Sequence, residues 1–320
     1  MSHNAKTKQY SEKIDILIVN YNSSRLMENC LETIYGNLSD IPAQVFVADN
    51  GSVDQPEQVL QRFPQMHLAI NKSNLGFSRA ANQLINQGQA PYILLLNPDT
   101  VLGEEFFKPL LNHMEKHPDI SIIGPKILNQ CGKVQGSARN FPTILTGLFG
   151  RTSILSKLFP NNRFTRGNIL TLSNDGKTAM EVDWVSGACM LIRRKAIEDV
   201  GPMDERFFMY WEDADLCRRM RQKGWKVVYL PLATVIHYVG KSSASRPIRA
   251  CLDFHKSSYL LYMKYSKWPF KLLIKPVTLT LLSTRFVGMS LLHYVKLAIA
   301  RAEELINNFT GGNSNKCDDL

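Results

Sequence analysis

The first hundred residues alternate short, mostly apolar runs with longer segments of helical spacing. IDILIV at 14–19, QVFVA at 44–48, HLAI at 67–70 and YILLL at 92–96 each stop abruptly at polar residues. Runs this short, apolar at consecutive positions, predict strands buried on both faces. Helices are predicted between them, from about Arg25 to Leu38 after a polar cap and from Gly76 to about Gln87. Strands and helices in alternation predict an α/β domain with a mostly parallel sheet flanked by helices. The polar residues ending successive runs then lie along one carboxyl edge, where open α/β sheets hold ligands.

The second half changes character. Ser121 to Ile123 suggests a strand, and Lys126 to Asn174 is loop-rich, with LTGLFGRTSILSKLF at 145–159 reading equally as a buried segment or a mobile acceptor loop. VDWVSGACMLIR at 182–193 reads as a strand interrupted at Trp184 and Gly187, and KVVYL (226–230) and TVIH (234–237) as two more. Between them, Phe207, Phe208, Tyr210 and Trp211 run straight into Glu212, Asp213 and Asp215, which open a helix that closes with Arg218, Arg219, Arg221 and Lys223 before Gly224. Complementation of the helix dipole explains where the charges sit. It does not explain the aromatic residues, which raise the pKa of a neighbouring carboxylate as suits a general base.

Composition sets the class. A chain of 320 residues with 44% hydrophobic content suits one large domain and a helical appendage, here 14–242 and 243–309, with a polar tail at 1–13 and a disordered tail expected at 310–320. Met1 to Lys13 lacks the apolar stretch of a signal peptide, so a cytoplasmic protein is expected. Six cysteines without a CxxC pair predict reduced thiols, mostly in the core. Net charge is +10, and Lys241 to Arg301 carries eleven Lys and Arg against the single acid Asp253, which accounts for the whole excess. Residues 277–300 are apolar but broken by Arg285, His293 and Lys296, which favours an interfacial helix on an anionic membrane surface over a span. Long apolar runs beside the charge argue against nucleic acid as the partner. The turn NYNSSR after the first strand has no G-x-G-x-x-G, which excludes a dinucleotide-dependent dehydrogenase. Asp99, exposed at a strand end, is a natural hard ligand for Mg2+ or Mn2+, and Asp49 a natural acceptor for a base N–H. Asn50 and Ser52 also read as caps of the following helix.

The order VNYN (19–22), ADNGSVD (48–54), NLGFSRAAN (74–82), NPD (97–99), VDWVSGACMLIRR (182–194), ERFFMYWEDADLCRR (205–219) and H-x-x-G-x-S (237–242) closely resembles the family-2 glycosyltransferases of GT-A fold, most of all the bacterial rhamnosyltransferase branch. The resemblance covers Ile14 to Ser242. It implies that Asp49 binds the pyrimidine of a nucleotide-sugar donor, with Asn20, Tyr21 and Asn22 lining the same pocket and Asn50 and Ser52 beside it. Asn74, Gly76, Arg79 and Asn82 would hold the nucleotide and ribose side. Asp99 and His237 would hold the metal, Asp213 would be the catalytic base, and Trp184, Gly187, Trp211 and Glu212 would shape the sugar pocket. Many relatives carry Asp at the position of Asn97, so one carboxylate is replaced by an amide carbonyl. The expected reaction is inverting transfer of a sugar, with dTDP-L-rhamnose favoured as donor, to a glycan carried on a polyprenyl diphosphate. Another UDP- or GDP-sugar donor, or a non-catalytic nucleotide-sugar-binding module, are the alternatives.

Overall fold

The computed structural model describes residues 13–38, 41–54, 56–142, 168–172, 174–238, 247–266 and 270–310. The segment 145–159, read as either buried or an acceptor loop, and Gly240 and Ser242 of the last motif, lie outside the described residues. The chain divides into two compact units, Met1–Ser245 and Arg246–Leu320.

In the first unit the apolar runs become β1 (Ile14–Asn20), β2 (Ala43–Asp49), β3 (His67–Ile70) and β4 (Tyr92–Leu96). All seven residues of β1, Asp15 and Asn20 included, and all five of β4 are buried, whereas β3, at the sheet edge, is mostly exposed rather than buried on both faces. They are joined by α1 (Ser24–Asn37), α2 (Glu57–Gln61) and α3 (Phe77–Ile85). β1 pairs parallel with β2 on one side and β4 on the other, so Ile16 faces Val45 and Leu94. The start of α1 is satisfied from another loop: Ser24 donates its backbone N–H and its hydroxyl to the two oxygens of Asp54, each at 2.8 Å.

Beyond β4 come β5 (Thr100–Leu102), α4 (Phe107–Lys116), β6 (Ile120–Leu128), β7 (Ala138–Arg139), β8 (Met180–Glu181), β9 (Trp184–Val185), β10 (Cys189–Arg193), α5 (Arg194–Val200), α6 (Glu212–Gln222) and β11 (Lys226–His237). The main sheet runs β3-β2-β1-β4-β10-β6-β11-β5, with β8 beside β11, while β7 and β9 form a separate antiparallel pair. The sheet is mostly parallel, but β10 enters antiparallel between β4 and β6. The 182–193 segment is therefore two strands in two sheets, broken at Ser186–Ala188. KVVYL and TVIH are one strand, whose register against β6 shifts between Leu230 and Thr234.

These pairings gather the motifs. The carboxyl ends of β1, β2, β4 and β11 and the start of β10 share one edge, and β5 folds back antiparallel on β11 so that Thr100 faces His237. Cys30, Cys189 and Cys217 are buried free thiols, Cys251 is partly buried and Cys131 exposed. The second unit contains α7 (Pro247–Tyr265) and α8 (Phe270–Thr310), in contact through Arg285 over the Phe254 ring at 5.7 Å and His255 against Phe286 at 5.9 Å. Among the described residues no helix is long and apolar enough to cross a membrane.

Candidate active site

The ends of β1 and β2 are clasped by their polar residues. Asn20 donates its amide to Asp49 Oδ1 at 2.9 Å and to Ser52 Oγ at 3.2 Å, and Ser52 N–H donates to Asp49 Oδ2 at 3.0 Å. Asn22 closes the clasp, its N–H donating to Ser52 Oγ and its Oδ1 accepting from Val53 N–H, both at 2.9 Å. Tyr21 lies half-buried in the same loop. Asn20 is fully buried, yet its Oδ1 has no partner within the protein. A buried acceptor left open at a sheet edge marks a place where a ligand donor fits.

The next motifs brace the edge. Asn50 uses its whole amide on the 71–76 loop, donating to Asn74 Oδ1 and Gly76 O and accepting from Asn71 Nδ2 and Leu75 N–H. Asn82 is likewise spent, donating to Met203 O and Glu205 Oε1 while accepting from Met203 N–H. Arg79 pairs with Glu205 at 3.1 Å on the surface. Gly76 has φ +87°, and a Cβ there would meet Phe208 O at 2.7 Å, so only glycine permits Phe77 N–H to donate to Phe208 O at 2.7 Å. Asn50, Asn74, Gly76 and Asn82 thus dock the aromatic stretch against α3. Tyr210 and Trp211 then both adopt φ +70°, a costly pair of left-handed residues that turns the chain into α6.

Two clusters carry reactive groups. In the first, Asp99 is 6% exposed, and its Oδ1 lies 3.2 Å from His237 Nε2 without the geometry of a hydrogen bond. Asn97 Nδ2 lies 3.4 Å from the same nitrogen. Among the described residues no group of three or more His, Cys, Asp or Glu is placed to hold a metal. The donors that converge here are instead a carboxylate with an open buried oxygen, an imidazole and an amide, a set that fits a hard divalent cation.

In the second cluster, Asp213 accepts from Gly187 N–H at 2.8 Å and from Ala214 N–H at 2.7 Å. A Cβ on Gly187 would come within 3.3 Å of Asp213 Cβ. The preceding turn is tied to the first cluster, because Asn97 N–H donates to Ala188 O at 3.0 Å. Burial pushes the Asp213 carboxyl up, against the backbone donors and the nearby Arg139 guanidinium that lower it. Glu212 is also buried, its Oε2 without a partner, and burial with the adjoining Asp213 charge lifts it to about 8. With two backbone N–H donors on Asp213 and none on Glu212 Oε2, the proton of the pair is favoured on Glu212 and the charge on Asp213. Asp215, fully buried, is bound to Arg219 at 2.9 Å, and Arg219 also ties down the carbonyls of Val200, Gly201 and Pro202. The three acids of one helical turn thus have three different fates. Trp184 donates its indole N–H to Asn140 O at 3.0 Å, stacks under Arg139 and meets Trp211 at 5.9 Å, walling the Asp213 side.

The Glu212 environment makes a stability prediction. Below its ordinary value of 4.5 both folded and unfolded chains hold the proton; between there and about 8 only the folded chain does, so this residue makes stability fall as pH rises. Urea unfolding of Glu212→Gln between pH 5 and 8 should show a shallower decline than wild type. An identical slope would mean that Glu212 is ionised in the folded protein.

Comparison with known proteins identifies the family. A family model described as "Glycosyltransferase like family 2" matches residues 12–251. An N-acetylglucosaminyl-diphospho-decaprenol L-rhamnosyltransferase of Mycobacterium tuberculosis is 32% identical over 271 residues, covering 81% of this chain and 87% of that protein. Rhamnosyltransferase WbbL of Escherichia coli is 25% identical over 238 residues, covering 72% and 85%. Among solved structures, a mannosyltransferase of Pyrobaculum calidifontis in complex with GDP-Man and Mn2+ aligns with a TM-score of 0.51 at 15% identity, covering 93% of this chain and 81% of that one, which extends the likeness to the GT-A fold. With the family matched over most of its length and the fold in agreement, this chain belongs to glycosyltransferase family 2, and it is a glycosyltransferase.

Proposed function

We propose that the protein transfers L-rhamnose from dTDP-L-rhamnose, with inversion, to a hydroxyl of a glycan carried on a polyprenyl diphosphate. The observation that carries the reading is the placement of Asp213 at the start of α6, pinned through Gly187 to the turn that also holds Asn97 of the Asn97–Asp99–His237 cluster. The names of the mycobacterial and enterobacterial relatives support the rhamnosyl donor and the lipid-linked acceptor.

In this mechanism Asp213 is the general base. Each of its oxygens accepts one backbone N–H and keeps a second lone pair for the acceptor hydroxyl. As that hydroxyl oxygen bonds to the anomeric carbon, its proton passes to Asp213, and the bond to the diphosphate breaks with its electrons on the leaving oxygen. Asn20 Oδ1 and Asp49 receive the base of the nucleotide, and Trp184 and Trp211 flank the sugar. Asn97, Asp99 and His237 would hold Mg2+ or Mn2+, which when bound neutralises charge on the nucleoside diphosphate. The test is release of nucleoside diphosphate across a panel of nucleotide sugars, with and without a chelator. A chelator-sensitive response confined to dTDP-rhamnose is expected, and turnover with a UDP- or GDP-sugar alone would overturn the donor assignment.

The second unit suits a membrane surface at the cytoplasmic face. Val277, Leu281, Leu291, Leu292, Val295 and Ile299 are all exposed along α8, in the segment that carries the chain's whole positive excess. Vesicles with anionic lipid should therefore bind the protein in a salt-sensitive way. Replacing Lys264, Lys267 and Lys271 by Gln should weaken that binding about 100-fold, at roughly 1 kcal/mol per charge. A gel shift with DNA, and none with vesicles, would reverse the assignment.

A further inference from the structure

Gln135 lies in the loop-rich region where no motif falls, yet it is held more firmly than any loop role requires. Its backbone N–H donates to Ile127 O at 2.8 Å, and its carbonyl accepts from Ser137 N–H at 2.8 Å and Thr171 Oγ1 at 3.3 Å. Its side chain bridges the ends of two neighbouring parallel strands. The amide nitrogen donates to Leu128 O of β6 at 3.2 Å and to His237 O of β11 at 3.0 Å. Both amide hydrogens are then used, which fixes the amide's orientation and leaves Oε1 as a pure acceptor. That oxygen lies 3.3 Å from His237 Nδ1.

We infer that Gln135 is a positioning residue that holds His237 in the Nδ1–H tautomer, so that Nε2 beside Asp99 keeps its lone pair, held by the Asn97 amide until a metal takes it. Nε2 meets an amide donor from Asn97 at 3.4 Å, which a protonated nitrogen could not accept. It also lies 3.2 Å from Asp99 Oδ1, a second lone-pair atom that lacks a donor. Two acceptors facing each other this closely, one of them buried without a partner, are stabilised by a cation between them. Because Gln135 grips the backbone carbonyl of the histidine as well as its ring, it sets both the position and the proton of the imidazole. The inference rests on the reading of Asn97, Asp99 and His237 as the divalent-cation site, and goes beyond it by naming the residue that prepares the site before any ion arrives.

The test separates the two. In metal-free protein at pH 8, 15N spectra of His237 should show a protonated Nδ1 and an unprotonated Nε2. Gln135→Met, which keeps the size but loses the acceptor, should shift the ring towards the Nε2–H form that free histidine prefers. Mn2+ affinity, measured with nucleoside diphosphate present, should weaken about 10- to 100-fold in Gln135→Met. Added to His237→Ala, the same change should cost nothing more. An unchanged tautomer in Gln135→Met, or a Mn2+ loss that persists without His237, would each overturn the assignment. Mn2+ affinity left intact by both Asp99→Asn and His237→Ala would instead overturn the cation site itself, and with it the purpose given to Gln135, whatever the tautomer.

Discussion

Replacing Asp213 by Asn is expected to lower kcat about 10²- to 10⁴-fold, the range a positioned general base supplies, while donor affinity stays within about twofold of wild type. The separation follows from geometry. Asp213 is held by Gly187 and Ala214, whereas the groups assigned to the nucleotide sit on the β1 and β2 loops and in the Asn97–Asp99–His237 cluster. Folding should change little: the amide removes a buried charge but turns an N–H towards a backbone N–H at Gly187 or Ala214, and these two effects oppose each other. The pH dependence gives a second readout. A base must be ionised to act, and burial lifts Asp213, so wild-type kcat should fall with acid along a limb lying above the ordinary carboxylate range. That limb should vanish from the residual rate of the variant. Steady-state kinetics and donor titration together decide the matter, and a variant that turns over normally would end the assignment of Asp213 as base.

How far the site could be foreseen depends on how local its signals are. Strands β1, β2 and β4 were legible because short, mostly apolar runs leave few alternatives, and α6 because its charges follow the helix dipole and Gly224 stops it. The direction of β10 was not, since a short apolar run such as CMLIR reads the same parallel or antiparallel. Only its insertion between β4 and β6 brings Gly187 beside Asp213. The meeting of Asp99 with His237 likewise comes from β5 folding back on β11, a three-residue strand with no pattern of its own. Asn50 and Asn82 show the opposite limit. Their residue types fit ligand contact, but in the folded chain their hydrogen bonds are spent on the 71–76 loop and on residues 203–205, partners that sequence spacing cannot reveal. Gln135 carried no signal at all, because its meaning lies in which carbonyls two distant strands present to it.

The largest expected loss of stability lies at the opposite end of β1, where Asp15→Ala should cost about 3–5 kcal/mol. Asp15 interrupts the apolar run of β1 and is 1% exposed. Its Oδ2 accepts from Arg194 Nη2 at 2.6 Å and from Ala90 N–H at 2.9 Å, and Arg194 goes on to donate to Ala90 O at 2.6 Å and Ile85 O at 3.0 Å. A Cβ at Gly88 would lie 2.2 Å from the same oxygen, so the turn after α3 is closed around the carboxylate. Burial raises the Asp15 pKa despite this partner, which means that desolvation outweighs the attraction and the ion pair is an expensive way to join β1, the end of α3 with the turn after it, and α5. Losing one member is therefore far worse than losing both. Asp15→Ala strands a guanidinium that is only 14% exposed, whereas Asp15→Leu combined with Arg194→Met should recover most of the loss by packing. In thermal unfolding the single change should lower the transition by roughly 10 °C. Asn20 lies five residues further along the strand, about 17 Å away, so kcat of the folded fraction should be unaffected. A cost below about 1 kcal/mol would place the pair among ordinary surface bridges, and a fall in kcat to match the fall in stability would mean that the two edges of the sheet are mechanically coupled.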